Sequence, residues 1–222
     1  MQANSNTYAP LNVLKVLYNK IINLNQNVKV LSIATRVDTI SDELIAYLTR
    51  LNEKMEIWIE LGLQTIHNTT HQLLNTCYTK EDFDKIIIKL NKVNIKVVVH
   101  IINGLPYEDE NMMLDTIKHL NNYKIFGLKI HSLYILKNTK LEQMYNETNF
   151  KLLTKDEYIR IVSNQLSILN KDVIIHRISG DAPRNQLVAP LWTLKKFVIM
   201  NEIDKYMKTN TLYQGNRDKK RT

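Results

Sequence analysis

Residues 95–102 read Ile95-Lys96-Val97-Val98-Val99-His100-Ile101-Ile102, an almost unbroken apolar run. Eight residues is strand length, and hydrophobicity at consecutive rather than alternate positions points to a strand buried on both faces. The flanks agree. Just upstream, Thr79-Lys80-Glu81-Asp82 resembles a capping box, opening a helix through Leu90 with Phe83, Ile86, Ile87 and Leu90 on one face. Downstream, Glu108 to Asn121 reads as a further helix. Outward from this unit the pattern repeats. Val28 to Ala34 and Ile57 to Leu63 read as strands, and between them lies a helix that Ser41 can cap and that Asp42 and Glu43 favour in its first turn. A helical patch surrounds His71 to Leu74. Leu128 to Leu136 reads as a strand, and Thr154-Lys155-Asp156-Glu157 as a second capping box that starts a helix to about Leu169. Val173 to Ile178 is the last strand. A long helix near Gln186 to Met207 follows, with Pro190 close to its start, where a missing amide is tolerated. Strands alternating with helices at this interval need crossovers, so the sheet is parallel: an α/β fold, as an open doubly wound sheet or a barrel wall.

Composition narrows the function. The chain has 222 residues, 30 Lys and Arg against 22 Asp and Glu for a formal net charge of +8, five Gly and one Cys, Cys77. That length fits one large domain, or one with a small appendage. A single Cys makes no intrachain disulfide, no four-thiolate zinc site and no self-sufficient iron–sulfur cluster. Five glycines leave no room for a G-x-G-x-x-G loop or a P-loop, and no G-x-S-x-G or H-E-x-x-H occurs. The apolar runs fall short of the roughly 18 residues that a membrane span needs, and polar Gln2 to Asn6 is no secretory signal. We therefore expect a cytoplasmic protein with no membrane partner. The basic excess is diffuse except at Arg217, Lys219, Lys220 and Arg221, which read first as a solvated tail and second as an electrostatic contact for RNA or another polyanion.

In parallel α/β folds the chemistry collects at the carboxyl ends of the strands. Those ends are polar here: Thr35, Arg36 and Asp38; Glu60 and Gln64; His100 and Asn103; Lys129, His131 and Ser132; His176, Arg177 and Asp181. Period-two alternation puts Glu60, Gly62 and Gln64 on one side of their strand, and Lys129 with His131. Glu60 and Lys129 read either as a buried ion pair or as ligand-facing groups. His67, His71 and His119 fall on helical stretches and read as surface residues. His100, His131 and His176 come from different strands and make only a weak zinc triad; Cys77 reads as a bystander in a turn between helices.

Taken in order, the strand-end motifs resemble the radical S-adenosylmethionine (radical SAM) superfamily. They are Ser32-Ile33-Ala34-Thr35-Arg36-Val37-Asp38, Trp58-Ile59-Glu60-Leu61-Gly62-Leu63-Gln64-Thr65, and His100-Ile101-Ile102-Asn103-Gly104-Leu105-Pro106. Ser5-Asn6-Thr7-Tyr8-Ala9-Pro10, Lys129-Ile130-His131 with Leu136-Lys137-Asn138-Thr139, and the run from Ile175 to Arg184 extend the match over nearly the whole chain. The resemblance is to the Elongator-like branch, most closely to an uncharacterised bacterial group. It implies a partial (β/α) barrel of parallel strands, incomplete at the N-terminus, with a C-terminal helical extension. Residues 1–185 would form the barrel portion, family strands 3 to 6 and a following strand, and 186–222 the C-terminal helix and basic tail. It implies SAM at the carboxyl ends of the strands and a [4Fe–4S] cluster that together generate a 5′-deoxyadenosyl radical. Carried over residue by residue, Asn4 and Asn6 lie where the family meets the methionyl amino group. Thr35 and Arg36 match the position near ribose and carboxylate, Gln64 the fourth-strand residue reaching SAM, and Asn103-Gly104 the motif beside adenine. His100 falls where some relatives hold an Asp. Glu60, Lys129, His131, His176 and Arg177 remain as substrate or interior polar candidates, and the catalytic residue is left unassigned.

The family's C-x-x-x-C-x-x-C loop should precede the Asn4 region, and the sequence has no such loop. The expectation is a carboxyl-terminal part of a radical SAM enzyme, with no metal ligands of its own, inactive alone, and pairing with an N-terminal segment that carries the cluster. RNA is a candidate substrate. Two other readings compete: a non-catalytic module that binds RNA or a partner through its basic surface, and a complete α/β enzyme whose site is built from Glu60, Lys129 and the three strand histidines.

Overall fold

A computed structural model describes residues 5–24 and 27–218. Five parallel strands form one sheet in the order β1 (Val30–Thr35), β2 (Glu56–Gln64), β3 (Lys96–Asn103), β4 (Gly127–Ser132), β6 (Ile174–Arg177). Each strand is linked to the next in the sheet by a helical crossover, β4 to β6 through residues 133–173, so all carboxyl ends lie along one edge. The helices are α1 (Leu11–Leu24), α2 (Asp42–Asn52), α3 (Asn68–Leu73), α4 (Lys80–Lys92), α5 (Glu110–Leu120), α6 (Lys140–Thr148), α7 (Lys155–Ile168) and α8 (Lys196–Thr209).

The local signals act as their chemistry dictates. Ser41 caps α2 by accepting from Leu44 N–H, and both capping boxes form, Thr79 with Asp82 and Thr154 with Glu157. One face of the sheet is apolar: Leu31 and Ile33, Ile57, Ile59, Leu61 and Leu63, Val97, Val99 and Ile101, Leu128 and Ile130 are buried in a single core. Leu48, Phe83, Ile87, Leu90, Ile117, Tyr158 and Val162 pack into it from the helices. The alternate positions face the other way and carry most of the polar strand residues, Ser32, Glu60, His100, Lys129 and His131, among apolar neighbours such as Val98 and Ile102.

Three boundaries differ from the sequence reading. The strand expected over 128–136 breaks at Leu133, whose N–H bonds to Asn103 O at 2.9 Å; the chain then leaves the sheet. It resumes as β5 (Ile135–Leu136), antiparallel to β7 (Leu187–Ala189). That pairing takes the start of the helix expected from Gln186. After Pro190 a 3₁₀ turn spans Leu191–Leu194, and α8 begins at Lys196. Helices α1 and α6 lie in stretches the pattern reading passed over. Tyr18 of α1 is fully buried, stacked on Tyr47 with centroids 6.5 Å apart, and its hydroxyl donates to Asn6 O at 2.6 Å. No helix among the described residues is long and apolar enough to cross a membrane.

Candidate functional site

The polar face is organised around one carboxylate. Glu60 Oε2 accepts from Lys129 Nζ at 2.6 Å and contacts His100 Nε2 at 3.1 Å, and Oε1 accepts from Ser32 Oγ at 2.7 Å. Register brings these together: Ala34 is beside Glu60, Gly62 beside His100, and His100 beside Lys129. Burial alone would raise the Glu60 pKa, but bonds from His100, Lys129 and Ser32 outweigh it and hold the carboxyl well below the usual range. Glu60 and Lys129 thus form a buried ion pair, and Glu60 also reaches a cavity wall.

That cavity, about 400 Å³, opens at the carboxyl ends of β1 and β2 and is lined by Thr35, Arg36, Glu60, Gly62, Gln64 and His100, with residues 75–78 of the α3–α4 loop across from them. Four residues assigned to the cofactor from sequence, Thr35, Arg36, Gln64 and His100, thus meet at one place. Arg36 is clamped to Asp38 by two bonds, 3.0 and 2.7 Å. The segment before α1 is fastened beside it. Asn6 donates to Ala34 O through both its main-chain N–H and its side chain, each at 3.0 Å. Ser5, Thr7, Thr35 and Thr39 form a mutually bonded hydroxyl cluster, Ser5 to Thr35 at 3.0 Å and Thr7 to Thr39 at 2.6 Å. Asn4 lies outside the described residues, as do Lys219 to Arg221 of the basic cluster.

Asn103 takes another direction. Its side chain exchanges two hydrogen bonds with Gln165 of α7, at 2.7 and 2.9 Å, while Gly104, with φ +84°, turns the chain out of β3. His131 stacks on His100, centroids 5.6 Å apart, and its buried Nε2 has no partner. Burial first, then the charges of His100, Arg177 and Lys129, push its pKa down to about 4, so it is neutral at pH 7. His176, next to last in β6, stands edge-on to Trp58 and Phe126, and Arg177 reaches Asp181 at 3.5 Å. His71, expected on the surface, is buried: its ring bonds to Thr65 O at 2.9 Å and Thr76 Oγ1 at 2.8 Å, tying the α3–α4 loop to the end of β2. Tyr78 lines the cavity with no sequence signal, because only the loop's path brings it there.

The residues present differ in their fit to the two expected groups. Among the described residues no set of three His, Cys, Asp or Glu side chains could hold a metal ion, and Cys77 is exposed and alone. These residues do not fit a [4Fe–4S] cluster. The cavity instead gathers the Gln64 amide, the Arg36 guanidinium and the Glu60 carboxylate around one opening, polar groups that suit a polar organic ligand rather than a metal cluster.

Residues 2–120 match the Radical SAM superfamily and residues 125–209 the Radical_SAM C-terminal domain. The protein YtqA of Bacillus subtilis (strain 168) is 38% identical over 214 residues, 96% of this chain and 66% of its own length. A tRNA uridine(34) acetyltransferase of Methanocaldococcus jannaschii is 30% identical over 161 residues, 71% of this chain and 29% of its own. Among solved structures, the archaeal Methanocaldococcus infernus Elp3 with an N-terminal deletion superposes with a TM-score of 0.70 at 25% identity, covering 83% of this chain and 43% of that one. The chain spans just under two thirds of the length of YtqA. By both family matches, over sheet and C-terminal region alike, the chain belongs to the radical SAM superfamily.

Proposed function

We propose that this chain is the SAM-binding, carboxyl-terminal portion of a cytoplasmic radical SAM enzyme whose cluster ligands come from outside these 222 residues. The observation that carries the reading is the convergence of Thr35, Arg36, Gln64 and His100 on one cavity at the carboxyl ends of β1 and β2. When bound, SAM is the source of the radical chemistry that names the superfamily; this chain's part is to hold and orient it. Arg36, fixed by Asp38, offers a guanidinium edge to a carboxylate. Gln64 offers its amide, and the hydroxyl cluster with Asn6 holds the segment that closes the β1 side of the opening. Further along the sheet, Glu60, Lys129 and the neutral His131 form the wall that a substrate would face, with His176 and Arg177 beyond. RNA is the substrate class we favour, on the name of the tRNA-modifying relative and the formal charge of +8.

The test is calorimetric titration of the purified chain with SAM. Measurable binding that Arg36→Ala and Gln64→Ala each weaken by about tenfold supports the reading, a loss of the size expected for one charged or one well-placed polar contact. Absence of binding in the parent chain, or affinity unchanged in both variants, overturns it. RNA retention that is lost at moderate salt and on deleting Arg217 to Arg221, while SAM does not bind, would favour the non-catalytic binding module instead.

A further inference from the structure

Leu105-Pro106-Tyr107-Glu108 forms the turn that leads from β3 toward α5, and Glu108 N–H donates to Leu105 O at 3.1 Å. Proline at its second position holds φ at roughly −65°. Tyr107, at the third, has φ +65°, which makes this a type II turn. That third position calls for glycine, and a bulky aromatic residue is rarely found in it. Packing does not explain the exception. Tyr107 is 67% exposed, and its ring rests against Phe150 with centroids 6.4 Å apart. Phe150 is buried and is held edge-on by Tyr145 of α6 at 5.4 Å. The phenol therefore stands at the carboxyl edge of the sheet on a fixed aromatic base, with most of its surface open.

The backbone around it is tied down. Asp109 caps α5 by accepting from Met112 N–H at 2.9 Å, and Met112 O lies 3.0 Å from His67 Nε2, which joins this loop to the start of α3. A strained residue kept on a fixed turn without burial points to a function for its side chain. We propose that Tyr107 is a stacking platform for an unpaired RNA base at the carboxyl edge of the sheet. The inference rests on the reading of RNA as substrate, and it adds a contact beyond the strand-end motifs, since the one after β3 ends at Pro106. Charge divides the work. Acidic Glu108 and Asp109 follow the ring, so this contact draws on the face of the phenol rather than on ionic attraction. Exposed Lys137 and Lys140 lead into the helix that carries Tyr145 and supply cations for neighbouring phosphates.

The experiment is a fluorescence-anisotropy titration of the chain with an end-labelled single-stranded oligouridylate over a range of salt, together with thermal unfolding. Tyr107→Gly and Tyr107→Ala should each weaken binding by about tenfold, the loss of one stacked base. Tyr107→Phe and Tyr107→Trp should bind as the parent does, because stacking uses only the ring. The dependence of affinity on salt should be the same in all five proteins, since no phosphate contact is removed. Tyr107→Gly should also unfold at a higher temperature than the parent, because glycine fits the left-handed turn position without strain. Weaker RNA binding in a more stable protein separates a binding role from a structural one. Parent-like RNA affinity in Tyr107→Gly and Tyr107→Ala, or a lower unfolding temperature in Tyr107→Gly, overturns the proposal. If the parent chain itself does not bind the oligouridylate, the RNA reading fails and this inference with it, whereas binding that ignores the changes at Tyr107 sinks the inference alone.

Discussion

Lys129 Nζ reaches Glu60 Oε2 at 2.6 Å although their strands are not neighbours; β3 runs between them, and its His100 contacts the same oxygen at 3.1 Å. One carboxylate thus joins β2, β3 and β4 across the polar face, and Ser32 adds β1 through the other oxygen. The two charged side chains are 9% and 5% exposed. Removing Lys129 leaves the buried Glu60 carboxylate without its cation, held only by Ser32 and His100, which costs up to about 3–5 kcal/mol, whereas removing both charges costs less. Lys129→Met should therefore be more destabilising in urea unfolding than the Glu60→Gln/Lys129→Met pair. Equal or greater loss in the double variant would show that the ion pair itself, rather than the stranded carboxylate, sets the cost.

Acid should weaken the fold well above the carboxylate range. His131 is held down to about 4 in the native state and His71 and His176 are also lowered, in each case chiefly by burial. Between about pH 6.5 and 4 the unfolded chain binds the proton that native His131 refuses, so stability is full above 6.5 and falls as pH drops toward 4. His131 alone contributes at most ~3 kcal/mol to this slope. Urea midpoints at pH 7, 5.5 and 4.5 measure it, and His131→Gln should flatten the curve. An unchanged slope in that variant would assign the effect to the other histidines.

The sheet was legible because its signals are local. Apolar runs such as 95–102 and the caps at Ser41, Thr79 and Thr154 each act within four residues of themselves. The Glu60–Lys129 pairing was legible for a related reason, since period-two alternation fixes which strand residues share a face, whereas Thr35, Arg36, Gln64 and His100 were grouped by the family resemblance, Thr35 being in phase with the helix-facing Leu31 and Ile33. What escaped depends on non-local partners. The β5–β7 ribbon exists only because residues 135–136 and 187–189 meet, His71 is buried only because the α3–α4 loop folds onto Thr65, and Tyr78 reaches the cavity by the same loop. Asn103 was grouped with the cofactor residues by motif, yet its side chain lies in register with the helix-facing positions of β3.

The Asn103–Gln165 pair ties the end of β3 to α7. Both side chains are buried, at 2% and 0% exposure, and Gln165 Nε2 also donates to Met113 O at 3.0 Å. Asn103→Ala strands the Gln165 carbonyl in the core at a cost of about 1–3 kcal/mol. Replacing both with Leu should cost less than the sum of the single replacements, because no polar atom is then left unmatched. Thermal unfolding of the four proteins gives the coupling directly, and strict additivity would mean that the amides are paired with water rather than with each other.

Gly127 opens β4 beneath the His176 ring. A Cβ there would come within 2.4 Å of His176 Cδ2 and Nε2 and 3.2 Å from Ile174 O, so Gly127→Ala must displace the ring. The ring is confined, standing edge-on to Trp58 at 5.6 Å and inclined to Phe126 at 5.9 Å. Overpacking of this kind costs about 1–3 kcal/mol. Moving His176 also alters the surroundings of Trp58, so indole emission should change in the folded Gly127→Ala protein before any unfolding. The control is His176→Ala, which clears the space: adding Gly127→Ala to it should cost less than adding it to the parent chain. The same cost in both backgrounds would place the strain on the Ile174 carbonyl instead of the imidazole.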